Sequence, residues 1–548
     1  MRLAAVISAF VMAANAPLLA QPRDTITIGM SQFPPDMHPF ITATSVRNVV
    51  LLAMNRPMMG TRLDGSPFCV LCTELPTLEN GAARLVHRAD GTQGMVVTYT
   101  LKPDLVWGDG VKLTAHDLAF SLKVSFAFSA PQFIEAVAAP DDLHLELNLS
   151  SPVYDFARLG SVFVLPEHIE GPIFAAARDP LDYGTHSMFN RRPEEPGLWF
   201  GPYRVKHFEA NDSIVMVPNE HWNGEKPYFR EVTFRLIENT AALQANLLSG
   251  DVDTVMTSNM GMTLDQTLTL ARTQQARFSF DFRPSVGSVE FLAVNHDNPL
   301  LADRRARRAL SMAIDRETIV KRLFDGKFQA TTLFLHPSEQ GFDPTVKGWP
   351  YNPKAARALL AELGFRPGPD GILVDTTGRR FSIDLTSTSG NRVRELVEQV
   401  LQTQMKAVGV ELAIKNEPAR VMFGESLRKR SFRGLVEYDG GPGIDSPPID
   451  MYSQRYIPTA DNAWAGRNYS GYRSAAMDAA LLETRSALDP AERRQKWRRV
   501  LEIYAEDMPT IPLFFASTAV ITPNWLQSLN RADRVGYFTG WIEEWRPR

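Results

Sequence analysis

A strand, a helix and a second strand in immediate succession limit this chain more than any other feature. Arg380 to Leu385 reads as a strand, and Asn391 to Ala407 carries Val393, Leu396, Val397, Val400 and Leu401 on one helical face. Gly409 stops the helix, and Val410 to Lys415 alternates as a second strand. Strands joined through a helix lie parallel and cross over with a right hand, which puts this part of the chain in the α/β class. Ligands of such sheets bind outside the carboxyl ends of the strands. Here that edge is Thr386 to Asn391, which feeds a helix N-terminus with free N–H groups and a positive dipole end. Asn391 and Arg392 are therefore candidate ligand-binding residues. Arg392 is either a forked anchor for a carboxylate or a surface arginine at a helix start.

The segments on either side extend this lobe. Gly434 to Tyr438 reads as a short strand, and Asp439 to Pro448 (DGGPGIDSPP) is too rich in glycine and proline for a regular element. If that strand joins the same sheet, Tyr438, Asp439 and Asp445 reach the same edge. Each aspartate has two readings, a carboxylate facing a ligand or an Asx-turn cap. Upstream, Val289 to Val294 is an extended apolar run that breaks at Asn298-Pro299. Two helices follow, capped by Asp303 and Asp315, the second ending at Gly326. In the first of them Ala306, Ala309, Leu310, Ala313 and Ile314 recur inward, with Arg304, Arg305, Arg307 and Arg308 mostly elsewhere.

At 548 residues, 44% of them hydrophobic, the chain exceeds one ordinary core and predicts two or three lobes. Basic residues number 58 against 62 acidic ones with no basic block, which argues against nucleic acid or an anionic membrane as partner. Met1-Arg2, an apolar run from Leu3 to Ala14 and Leu18-Leu19-Ala20 form a secretory leader over residues 1–20, with cleavage after Ala20 or, less favourably, after Ala16. No cysteine stands at its end, so a lipid anchor is not expected. The two cysteines, Cys69 and Cys72, read as a local disulfide or as packed thiols, with no chemistry assigned. No G-x-S-x-G, H-E-x-x-H, Walker or dinucleotide fingerprint is present.

The stretch FLAVNHDNPLLADRRARRALSMAIDRETIVKRLFDG, from Phe291 to Gly326, resembles the segment that opens the large C-terminal lobe of extracytoplasmic solute-binding proteins of the oligopeptide, dipeptide and nickel class, family 5. Further segments resemble that family in the same order. They are the strand Thr25 to Met30 with the loop Ser31 to Pro39, and the run from Tyr99 to Asp117. Gly201-Pro-Tyr203, Asn219 to Trp222, Gly250 to Asp253, Arg467 to Tyr472 and Asp507 to Phe515 follow. The resemblance covers nearly the whole mature chain.

It implies an α/β fold of the periplasmic binding protein type II kind, with two main lobes, a hinge near Pro284 and Thr510, and an inserted third α+β lobe. The expected divisions are residues 24–62, 200–284 and 512–548 for lobe I, 63–199 for the inserted lobe II, and 285–511 for lobe III. It also implies a periplasmic, monomeric subunit of an ABC-type importer that captures peptides or peptide-like solutes for a membrane permease, with no catalytic residue, cofactor or bound metal. Nickel chelates, opines and oligosaccharides are alternative ligands, and a secreted hydrolase with a site lacking a motif is the rival class. His38, in the loop expected beside the cleft, is a candidate ligand-binding residue or an ordinary loop histidine. The loop after Tyr438 departs from the family's W-x-x-D-x-x-D-P pattern, so either Asp439 or Asp445, or neither, takes the amine-binding role.

Overall fold

Two sheets organise the molecule, and their strand orders show how one chain builds both. The computed structural model describes residues 23–41, 44–62, 65–128, 133–256, 260–462, 464–527, 534–535 and 538–548, so the expected leader and the expected boundary at residue 63 lie outside the described residues. The first sheet runs Thr254–Val255, Thr25–Met30, Glu231–Leu236, Ser213–Pro218, Tyr203–Glu209. Its central pair is parallel, with Ile26 opposite Val232 and Ile28 opposite Phe234, and all four side chains are buried.

Part of the chain between these two strands builds the inserted lobe, before Tyr203–Glu209 and Ser213–Pro218 return to the first sheet. The insert's antiparallel sheet has the order Ala83–His87, Gln93–Thr100, His144–Leu149, Ile134–Ala138. Leu145, Leu147 and Leu149 alternate into its core, as period-two patterning requires. Helix Ala115–Phe128 packs on that sheet, and the Asp117 carboxylate accepts from the Thr114 and Glu167 backbone N–H groups. Cys69 and Cys72 form a disulfide.

The second sheet has the order Gln329–Ala330, Thr510–Phe515, Val289–Val294, Leu435–Gly440, Ser382–Thr386, Glu411–Ile414. Ser382–Thr386 lies parallel to both Glu411–Ile414 and Leu435–Gly440, with helix Arg392–Ala407 crossing over. Val289–Val294 runs antiparallel to Leu435–Gly440 and to Thr510–Phe515, so the sheet is mixed and not wholly of the parallel type. Entry and exit explain the difference, because the first strand of the lobe leads away from the junction and the last returns to it. Asp303 and Asp315 cap helices Arg304–Ala313 and Arg316–Phe324. Arg307, expected away from the core, is buried with Arg316. Arg307 donates to the carbonyls of Leu301, Ala302 and Met508, and Arg316 to those of Ser311 and Pro512. A loop, helix ends and a strand supply these carbonyls, and the guanidinium groups give them buried donors.

The two chain segments between the sheets switch partners together. The apolar run expected to complete lobe I from residue 512 divides at Ala516. Thr510–Phe515 belongs to the second sheet, whereas Ser517–Pro523 pairs antiparallel with Phe278–Pro284. The Ser285 N–H donates to the Ala516 carbonyl at 2.7 Å, directly at the switch. Ile511 to Ile521 contains no glycine to mark this break, which is why the sequence places the boundary inside a strand. Among the described residues no helix is long and apolar enough to cross a membrane.

Candidate functional site

Asn391 caps helix Arg392–Ala407, its side-chain oxygen accepting from the Arg394 N–H at 3.2 Å. Residues two apart on a helix point about 200° apart, so Arg392 and Arg394 face opposite ways. Arg392 is exposed, with Glu395 3.9 Å away. Arg394 lies on the buried stripe of Val397, Leu401 and Met405 and is itself buried. The apolar face read from Val393, Leu396, Val397, Val400 and Leu401 leaves Arg392 and Arg394 at nearly equal angles on its two sides, so the sequence did not separate them.

The Arg394 guanidinium binds Glu290 through Nε at 2.7 Å and Nη2 at 3.3 Å, reaches Asp439 at 2.8 Å through Nη2, and donates to the Thr388 hydroxyl at 3.2 Å. Glu290 and Asp439 are register partners on neighbouring strands, so their side chains share a sheet face with the next pair, Leu292 and Glu437. Asp439 is 63% exposed at the strand end, whereas Glu290, Glu437 and Glu398 are buried. A charge gradient therefore runs inward from solvent. Burial alone would lower the Arg394 pKa, but Glu290 and then Asp439 outweigh it and hold the guanidinium charged. Burial raises the Glu290 carboxyl pKa, with Arg394 opposing the shift through the forked contact. Neither oxygen of Glu437 has a hydrogen-bond partner among the described residues. Burial, followed by the charges of Glu290 and Glu398, pushes its pKa well above the ordinary carboxyl range. Glu437 thus lies beneath the site as a buried carboxyl that holds its proton more tightly than an exposed one.

Strand alternation sends Tyr438 to the other sheet face, where its ring lies 4.6 Å from Phe291 and 6.0 Å from the exposed Phe423. Asp445 is buried in the following loop at φ +53°. Its carboxylate accepts from the Gln340 N–H at 2.7 Å and its own N–H donates to Glu339 at 3.0 Å. Burial, then the nearby Asp445 charge, raises Glu339 to about 7. The structure thus separates the two aspartates: Asp439 faces solvent on an arginine, and Asp445 holds backbone together.

His38 is fully buried in the core that the first lobe shares with the insert. Its Nδ1 accepts from the Phe40 N–H at 3.1 Å, which leaves Nε2 to donate to the Tyr183 hydroxyl at 3.0 Å, and that hydroxyl donates to Glu170 at 2.6 Å. Burial, then the Arg47 charge, lowers its pKa to about 3, so the ring is neutral. Among the described residues no group of three or more His, Cys, Asp or Glu is arranged to hold a metal ion.

Residues 89–461 match the model of the bacterial extracellular solute-binding proteins, family 5 Middle, over more than half of the chain. This chain belongs to that family. The family 5 protein is 25% identical to the oligopeptide-binding protein AppA of Bacillus subtilis over 84% of its own length and 82% of that protein. It is 21% identical to the nickel-binding periplasmic protein of Escherichia coli, over 78% and 80% of the two chains. The crystal structure of an oligopeptide binding protein from Thermus thermophilus, complexed with a pentapeptide, superposes with a TM-score of 0.75 at 27% identity, covering 96% of this chain and 97% of that one.

Proposed function

We propose that this family 5 protein captures short peptides between its two main lobes and delivers them to the permease of an ABC importer, with no catalysis of its own. One observation carries the reading. An exposed carboxylate, Asp439, stands at the carboxyl end of a sheet strand and is fixed there by a buried arginine. A fixed carboxylate at that edge suits the α-amino group of a peptide, since the ammonium meets a charge whose orientation is already set. Support comes also from the oligopeptide-binding relatives and from the pentapeptide held by a protein of the same fold. The paired switch at Ser285 and Ala516 supplies a two-strand hinge, and a peptide stabilises the closed arrangement only through contacts that opening removes. In this reading the leader at 1–20 is removed, and the mature chain works as a periplasmic monomer.

Thermal unfolding with peptides of two to nine residues, a nickel–histidine complex and an opine tests the reading. A true ligand raises the unfolding temperature by mass action. Peptides are expected to do so and the other two solutes are not. Stabilisation by the nickel complex or the opine alone contradicts the proposal.

A further inference from the structure

The inserted lobe touches the third lobe directly, although among the described residues no strand pairing joins them. Tyr154 and Arg158 lie in the turn that follows the insert's strand His144–Leu149. The Tyr99 hydroxyl fixes this turn, donating to the Phe156 carbonyl at 2.6 Å and accepting from the Gly160 N–H at 3.0 Å. The Tyr154 hydroxyl donates to the backbone carbonyl of Asp445 in the third lobe's loop, and the Tyr154 N–H donates to the Arg485 carbonyl at 2.9 Å. The Arg493 guanidinium stands 4.6 Å above the Tyr154 ring. Arg158 binds the Gly65 carbonyl and lies 3.8 Å from the Asp445 carboxylate. Gly65 leaves room for that carboxylate, since a Cβ there would collide with it.

The same loop is braced from the hinge side. Gly443 donates to the Gly287 carbonyl at 3.3 Å, and Gly287 stands just past the strand switch at φ +79°, where a Cβ would meet the Ile444 nitrogen at 2.6 Å. The 441–445 loop thus connects the start of the third lobe to the tip of the insert. The insert is covalently part of the first lobe, so the contacts of Tyr154 and Arg158 span the two sides of the switch at Ser285 and Ala516.

From this geometry we infer that the insert is a closure latch: Tyr154 and Arg158 grip the Asp445 loop and stabilise the closed arrangement before any ligand is bound. The inference rests on the capture reading only in assuming that the lobes open. A latch of this kind sets ligand affinity from outside the cleft, because it changes the fraction of protein already closed.

The test is a distance distribution by electron spin resonance on the full ligand-free chain, labelled at Lys206→Cys and Lys406→Cys. Tyr154→Phe removes one hydroxyl and keeps the ring under Arg493, and Tyr154→Phe with Arg158→Gln removes both grips. Unfolding temperatures report whether either variant is misfolded. The latch predicts a short-distance population in the parent and a closed-to-open ratio roughly 3- to 10-fold lower in Tyr154→Phe, the size expected for one lost hydrogen bond. A parent wholly at the long distance, or an unchanged distribution in the folded double variant, overturns it. Adding pentaalanine to the parent separates the two claims. Failure of pentaalanine to bind counts against peptide capture and leaves the latch judged on the ligand-free distances.

Discussion

Two buried arginines, one in each main lobe, face carboxylates in opposite circumstances. Arg56 in the first lobe binds Glu543 at 2.5 Å, with side chains 1% and 6% exposed, between the rings of Trp222 and Trp541. Arg394 in the third lobe binds Glu290 just as deeply but ends on Asp439, which opens to solvent. The first pair is enclosed in the core and reaches almost no solvent from which a ligand could approach. The second transmits the rigidity of a buried charge to a surface carboxylate. Burial alone therefore does not mark a functional arginine; on the proposed reading, a buried arginine with one exposed partner at a strand end does.

The contrast breaks most visibly at the closed pair. Glu543→Ala strands the Arg56 guanidinium and is expected to lower stability by about 3–5 kcal/mol in chemical unfolding, while the folded fraction keeps its peptide affinity. Asp439→Asn is expected to do the reverse. Its exposed ion pair contributes at most about 1 kcal/mol to stability, yet affinity for peptides with a free amine should fall 10- to 100-fold, about 1.4–2.8 kcal/mol, by calorimetry.

Glu437 sharpens the third-lobe half of the comparison through pH. Its carboxyl pKa is raised in the folded state, so the native protein holds a proton that the unfolded chain releases above about pH 4.3. Its contribution is present in full below that pH and is lost as pH rises toward the folded-state pKa. Glu437→Gln keeps a neutral group at all pH values, so its stability relative to the parent should grow as pH rises above about 4.3, by at most about 1.4 kcal/mol for each pH unit until the folded-state pKa is passed. A parallel pair of stability curves would contradict a raised Glu437 pKa. The smallest effect is expected at Arg392→Ala, which should change both stability and affinity by less than about 0.5 kcal/mol.

Much of this arrangement was legible in the sequence, for identifiable reasons. The strand–helix–strand unit was visible because Val397, Leu401 and the alternation around Leu412 carry period and burial together. Asp303 and Asp315 were readable as caps because capping is local chemistry, whereas the cap at Asn391 was read only as a ligand candidate. The Asp439 and Asp445 loop was placed correctly at a sheet edge, but only tertiary contacts with Arg394, Gln340 and Tyr154 separate the roles of its two aspartates. Glu290 and Glu437 were hidden for another reason. Each sits inside an apolar strand where a charged residue reads as an interruption, and the register that stacks them over Arg394 is set by strands about 150 residues apart in sequence. Likewise, nothing in the run from Ile511 to Ile521 announces a change of sheet partner.

The central claim is that a peptide amine rests on Asp439. Isothermal titration with a pool of random-sequence pentapeptides, free or acetylated at the N-terminus, tests it most directly. The account predicts saturable binding of the free pool and at least 10-fold weaker binding of the acetylated one, with that difference vanishing in Asp439→Asn. Equal binding of the two pools to the parent protein would contradict it.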